Sequence, residues 1–277
     1  MAADRPPKIS VVIPVFNEMA TIEEILLRVQ AVELEKEIVI VDDGSTDGTR
    51  GFLADLARCA RAAPARMTLR QSGAVLRADN ICVLFQDKNQ GKGAALRRGF
   101  QKVRGEIVII QDADLEYDPA DYHRLIAPIE AGRADVVYGS RFLGGPHRVL
   151  FFWHYVGNKL LTTISGMVTN LNLSDVWTCY KAFRREILLG LDLRENRFGF
   201  EQEITIKIAQ AGWRVYEIPV AYHGRTYAEG KKITWRDGVR AIWCILRYSF
   251  LAASSKAPQA KPVVQPTNRG NEGKSAQ

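Results

Sequence analysis

Apolar positions along the chain alternate between two rhythms. Residues 9–13 form a short β-rich run stopped by Pro14, and residues 21–32 then place Ile22, Ile25, Leu26 and Val29 at the spacing of one helical face. A second β-rich run at 37–41 ends in DDGSTDGT, whose Gly44 and Gly48 suit turns, and residues 49–62 return to a helical period. Strand-like runs recur at 81–85, 106–110 and 135–139, and GKGAALRRGF opens a helix between the first two. Strand, turn, amphipathic helix, strand predicts an α/β fold with a mainly parallel sheet. Residues 64–80 break the rhythm and read as a surface insertion. Beyond Ser140 the pattern is more helical, at 151–169, in a short ridge at 176–184 and at 200–211, before a strand-like run at 213–222. The last residues, 254–277, are rich in Pro, Ser, Gly, Gln and Lys and read as a disordered tail.

In an open α/β sheet the carboxyl ends of the strands face the ligand crevice, so the acids after Val41 and Ile110 point toward one site. Asp112, Asp114 and Glu116 occupy alternate positions, which in an extended segment share a face. Their oxygens suit Mg²⁺ or Mn²⁺, and those ions suit the phosphates of a nucleotide. The competing reading is a solvated turn that leads into a helix after Pro119, with Asp118 as its cap.

Composition narrows this picture. A chain of 277 residues, 47% of them hydrophobic, fills a sizeable core, and a formal charge of +7 favours anionic partners. Nucleic acid fits poorly, because the three acids repel a phosphate backbone and no aromatic-basic binding motif is present. The four cysteines, Cys59, Cys82, Cys179 and Cys244, show neither metal spacing nor a disulfide framework. With no apolar core of a secretion signal at the start and no apolar run of about 18 residues, a cytoplasmic protein is expected, with contact at a membrane surface left open.

Four motifs in order, IPVFNE at 13–18, VDDGSTDGT at 41–49, NQGKGAALRRG at 89–99 and QDADLEYDP at 111–119, resemble glycosyltransferase family 2. Within it the resemblance is to dolichyl-phosphate and polyprenyl-phosphate hexosyltransferases, over residues 8–248 apart from the insertion. It implies a GT-A type Rossmann-like domain that binds a nucleotide sugar, with a donor half at 8–140 and an acceptor half at 141–248. By the same resemblance Pro14, Phe16, Asn17 and Glu18 line the nucleotide pocket, Asp43 lies near the ribose or base, and Asp42 shapes it. Gln111, Lys92 and Lys231 join the donor side. Asp112 and Asp114 become the metal-binding pair, with Glu116, where the family often has glutamine, as a third ligand.

The acceptor half follows from the same resemblance. Arg141 in the GSR segment lies by a donor or acceptor phosphate. LSDVWTCYKAFRREIL at 173–188 resembles the TDxxSGxKxxxR segment, with Ser174, Cys179 and Tyr180 as departures, and its Asp175 is the candidate base or acceptor-orienting acid. Glu201 or Glu203 would orient Arg141 or the sugar hydroxyls. His223, Arg225, Lys231 and Lys232 resemble HxRxxGxSK, a loop that closes over the donor diphosphate, with Gly224 and Gly230 as hinges. The aromatic cluster Phe151, Phe152, Trp153 and Tyr155, followed by Leu160, Leu161, Ile164, Met167 and Val168, suits a prenyl chain, or equally a helix packed on the sheet or at a dimer interface.

The implied activity is an inverting, metal-dependent transfer of a hexose to polyprenyl or dolichyl phosphate, with GDP-mannose as first donor and UDP-glucose as second. Such an enzyme would dock peripherally on a membrane, or use a membrane-anchored partner or a homo-oligomer. The alternative is a soluble or polysaccharide acceptor, which predicts a buried helix at 149–169.

Overall fold

The computed structural model of the protein describes residues 6–144, 147–148, 151–226 and 235–252, so the tail at 254–277 lies outside the described residues. The first half runs β1 (Ile9–Val15), α1 (Ile22–Ala31), β2 (Lys36–Asp42), α2 (Thr49–Cys59), β3 (Arg66–Thr68), β4 (Val75–Arg77), β5 (Ile81–Phe85), α3 (Lys92–Phe100) and β6 (Ile107–Ile110). After a 3₁₀ turn at Pro119–Asp121 come α4 (Tyr122–Glu130), β7 (Val136–Ser140), α5 (Phe152–Thr169), β8 (Lys181–Arg184), α6 (Arg185–Gly190), α7 (Gly199–Gln210), β9 (Val215–Pro219) and α8 (Trp235–Ala252).

Among the described residues seven strands form one sheet in the order β5-β2-β1-β6-β8-β7-β9, all parallel except β8. The strands read as near-continuous apolar runs because both faces are covered. Val11, Ile13, Ile38 and Ile40 join a core with α1, α2 and α4. Their neighbours Val12, Val39, Val108 and Ile110 pack on the other face with α3 and α7.

Three expectations are corrected. Pro14 does not stop β1, which continues to Val15 with Pro14 in register with Val41. Pairing with β6 ends at Val12, so the missing amide falls where that edge carries no ladder. Residues 64–80 are no loose surface insertion: β3 and β4 make an antiparallel hairpin whose Met67, Leu69, Leu76 and Ala78 sink into the core beside α1. The ridge at 176–184 ends in β8, wedged between β6 and β7; four residues including a fully buried lysine, Lys181, carry too little period to announce a strand.

Candidate active site

Parallel β1, β2, β6 and β7 all end on one side, and a cleft of about 1760 Å³ opens there. It brings together Pro14, Phe16, Glu18, Asp43, Lys92, Asp112, Asp114, Glu116, Arg141 and Arg225, residues spread over more than two hundred positions of chain. Four other sequence candidates support it from behind, since Asn17, Asp42, Gln111 and Asp175 do not line the cleft.

The wall at the ends of β1 and β2 is sewn from three loops. Asn17 adopts φ 54°; its amide donates to Ser45 Oγ at 3.0 Å and its Oδ1 accepts from the Thr46 amide at 2.8 Å. Buried Asp42 accepts from Arg50 at 2.7 Å, which fixes the base of the next loop. Asp43 faces the cleft and accepts from the amides of Gln90 and Gly91, both at 2.8 Å. Burial nonetheless holds its carboxyl above the usual range. Gly91, at φ 102°, leads into α3, and a Cβ there would lie 2.5 Å from the Asn196 carbonyl oxygen, so the close approach of that loop requires glycine.

The acidic segment is a turn with Leu115 at φ 64°, not an extended run. Alternation on one strand face is therefore not what gathers the acids; the turn does. Asp112 pairs with Lys92 at 2.9 Å, and Lys92 lies 3.5 Å from Glu201. The Arg225 guanidinium stands between Asp114 at 3.0 Å, Glu18 at 3.3 Å and Glu116 at 3.7 Å. Burial would raise the Asp112 carboxyl, but Lys92 outweighs it and holds it low. For Asp114, burial and the charges of Asp112 and Glu116 prevail over Arg225 and push it up to about 7. Among the described residues no three potential ligands form a ready cage, because Lys92 and Arg225 stand among the carboxylates. The donor set is nevertheless all hard oxygen, with Asp112, Asp114, Glu116 and Glu18 around Lys92 and Arg225, and oxygens of that kind fit Mg²⁺ or Mn²⁺. Asp118 does what the competing reading asked of it, accepting from the Ala120 amide at 3.0 Å to cap the 3₁₀ turn.

Across the cleft, Arg141 is gripped by Asp175 through two parallel bonds, Nε to Oδ2 at 2.6 Å and Nη2 to Oδ1 at 2.8 Å. Asp175 is fully buried and also accepts from Asn158 at 3.2 Å, so its carboxylate is spent on positioning and does not reach a substrate as a base. Burial would raise its pKa; the Arg141 charge and hydrogen bonds hold it below the usual range. Glu201 and Glu203 do not touch Arg141 either. Glu201 accepts from buried Lys181, while Glu203 pairs with Lys207 at 2.6 Å and accepts from the Glu195 amide at 2.7 Å. His223 is exposed, its amide tied to the Glu116 carbonyl at 2.8 Å. Lys231, Lys232 and Gly230 lie outside the described residues.

Two residues of the site escaped sequence reasoning. Tyr222 links both walls: its hydroxyl donates to Glu116 at 3.1 Å and its ring sits 5.0 Å from the Arg141 guanidinium. Its only signal was its place beside His223. Lys181 carries the Glu201 end of the chain Lys181, Glu201, Lys92, Asp112; its signals were its match to the lysine of the TDxxSGxKxxxR pattern and a charge inside an apolar ridge.

Residues 10–190 match the model of glycosyl transferase family 2, which is most of the chain. The chain belongs to glycosyl transferase family 2. This glycosyltransferase is 32% identical over 228 residues to the polyprenol monophosphomannose synthase of Mycolicibacterium smegmatis, with 80% of this chain and 79% of that one covered. It is 28% identical over 228 residues to the undecaprenyl-phosphate 4-deoxy-4-formamido-L-arabinose transferase of Proteus mirabilis, and it spans 62% of that relative's length. Glucosyl-3-phosphoglycerate synthase from Mycobacterium tuberculosis, solved with Mn²⁺, UDP and glucosyl-3-phosphoglycerate, shares the fold with a TM-score of 0.61 at 19% identity, over 88% of this chain and 80% of that one. The glycosyltransferase therefore has the GT-A type Rossmann-like architecture that its motifs imply.

Proposed function

We propose that the chain transfers a hexosyl group from a nucleoside diphosphate sugar to an acceptor that carries a phosphate. The observation that carries this reading is the pairing of two charged walls in one cleft: Asp112, Asp114 and Glu116 with Lys92 and Arg225 on one side, and Arg141, locked by Asp175, on the other. The nucleoside lies against Pro14, Phe16 and Asp43, and its diphosphate meets Lys92 and Arg225. A divalent cation held by Asp112 and Asp114 supplies charge compensation to the diphosphate leaving group. Arg141 orients the acceptor phosphate for a single in-line displacement, which inverts the anomeric centre. A phosphate acceptor is already ionised near neutral pH, so the reaction needs no strong base, in keeping with Asp175 being occupied.

Two acceptor classes have support. The names of the two sequence relatives above contain polyprenol and undecaprenyl phosphate, and α5, expected buried for a soluble acceptor, exposes most of its apolar side chains. The structural relative was solved with UDP-glucose and phosphoglyceric acid, which supports a UDP-sugar and a soluble phosphorylated acceptor. That moves UDP-glucose ahead of GDP-mannose as the first donor to try. The test is a radiolabel transfer assay with Mn²⁺, each donor in turn, and either a short polyprenyl phosphate in detergent or 3-phosphoglycerate. Label in the organic phase assigns the lipid acceptor, and label in a new anionic product assigns the soluble one. No transfer in any combination, together with no calorimetric binding of either donor, would refute the reading.

A further inference from the structure

The helix α5 is inside out. Its buried residues are Thr162 and Ser165, while Phe152, Trp153, Tyr155, Val156, Leu160, Met167 and Val168 are exposed, Trp153 at 77% and Met167 at 81%. Helix α8 packs against α5 and exposes Val239, Ile242, Trp243 and Leu246. Of the 15 large hydrophobic residues exposed among the described residues, 7 lie on α5 and 4 on α8, so 11 of 15 belong to two adjacent helices. Such concentration marks a surface that water does not cover in use.

The charge on these helices is one-sided. α5 carries Lys159 and no acid, and the described side chains of α8 include Arg240 and Arg247 and no acid. Arg240 and Arg247 flank the exposed Trp243 ring, at 4.4 and 4.7 Å from its centroid. Lys159 lies 4.9 Å from the Phe142 ring, which also meets Tyr155 edge-on. Buried Glu195 meets Arg240 at 2.8 Å and Arg247 at 3.8 Å, and outside it the face offers aromatic rings, aliphatic side chains and basic heads, which match the boundary between acyl chains and anionic headgroups. Aromatic and arginine side chains also serve protein interfaces, so it is the basic excess together with the place of both helices at the cleft that selects lipid. Both helices also line the cleft, α5 with Trp153, Gly157 and Leu161 and α8 with Arg240 and Arg247.

We infer that the α5–α8 face docks on an anionic lipid bilayer and holds the cleft mouth at the headgroup level. No helix among the described residues is long and apolar enough to cross a membrane, so the contact is one of surface insertion. The inference deepens the lipid-phosphate form of the proposed function, yet it concerns binding to bulk lipid and can be tested without an acceptor.

The experiment is co-sedimentation of the full chain with vesicles of phosphatidylcholine alone and of phosphatidylcholine with phosphatidylglycerol, free of any prenyl phosphate. Wild type is expected to bind the anionic vesicles, with binding that weakens as salt shortens the screening length below ~8 Å. Met167→Glu with Leu246→Glu, at positions that do not line the cleft, is expected to lower the vesicle partition coefficient by about tenfold or more with an unchanged thermal midpoint. Each single variant should show part of the loss. Wild type that stays in the supernatant at low salt, or a folded double variant that sediments as well as wild type, overturns the proposal. So does a solution dimer that the double variant splits while vesicles go unbound, which would give the face to a second copy of the chain. Vesicle binding without transfer leaves this inference standing and fails the transfer reading; transfer without vesicle binding does the reverse.

Discussion

Changing Asp175 to Asn removes one negative charge and few atoms from a place where nothing else can replace it. The carboxylate is fully buried and accepts from Arg141 at 2.6 and 2.8 Å. Loss of one partner of a buried, hydrogen-bonded ion pair costs about 3–5 kcal/mol, and asparagine retains one acceptor, which points to the lower end, about 3 kcal/mol. For a domain of this size that lowers the thermal midpoint by roughly 6–12 °C. The catalytic consequence is separate. Arg141 no longer has a fork to lie in, and displacement of a positioning group by about 1 Å costs on the order of 10²-fold in turnover. Donor affinity should change little, because Pro14 stands on β1 and Phe16 and Asp43 follow directly after β1 and β2, away from the Arg141–Asp175 pair. Steady-state turnover and donor calorimetry on the folded variant, below its new midpoint, separate these effects. Arg141→Gln should cost a similar amount, and the double variant little more than either, since the two act as one unit. Turnover of Asp175→Asn within about threefold of wild type would refute the positioning argument, whatever happened to stability.

Asp114→Asn should leave the thermal midpoint within a few degrees and lower metal-supported turnover by on the order of 10²-fold, with weaker Mn²⁺ binding by electron paramagnetic resonance. Arg225→Gln should have opposite effects on two ligands: Mn²⁺ alone binds about tenfold tighter because a positive charge leaves the group of Glu18, Asp114 and Glu116, while UDP binds more weakly, as calorimetry would show. A variant that loses affinity for both would contradict this. Burial opposes ionisation of Asp135, but its bonds from Arg214 at 2.8 and 2.9 Å prevail and hold its pKa below the ordinary value of about 3.9. Its contribution is therefore complete above about pH 3.9 and is lost as pH falls through the lower folded value, so Asp135→Asn should flatten the acid limb of the stability curve in denaturant titrations.

Much of the cleft wall at the ends of β1, β2 and β6 was legible in the chain because its information is local. Period-two and period-3.6 apolar runs announced the strands, each parallel strand delivers its last residues to the same edge, and so Phe16, Asp43 and Asp112 were placed without knowledge of a single contact. The wall that carries Arg141 was less legible. Asp175 and Arg141 are 34 positions apart, and that one grips the other depends on β8 entering between β6 and β7. Glu201 and Glu203 sit two positions apart on α7, yet one meets Lys181 and the other Lys207 and the amides at 194 and 195.

By itself the sequence determined the α/β class, the glycosyltransferase family and the edge of the sheet where the chemistry lies, since local periodicity and short ordered motifs suffice for these. Only the tertiary structure decided which carboxylates line the cleft and which are buried behind it on arginine and lysine. It also decided the orientation of α5: a helical stripe of apolar residues has the same period whether it turns inward or outward. The inward side, Asn158, Thr162 and Ser165, is chosen by what it meets beyond the helix, here the Asp175 carboxylate and the Val176 amide, which the period of α5 does not reveal.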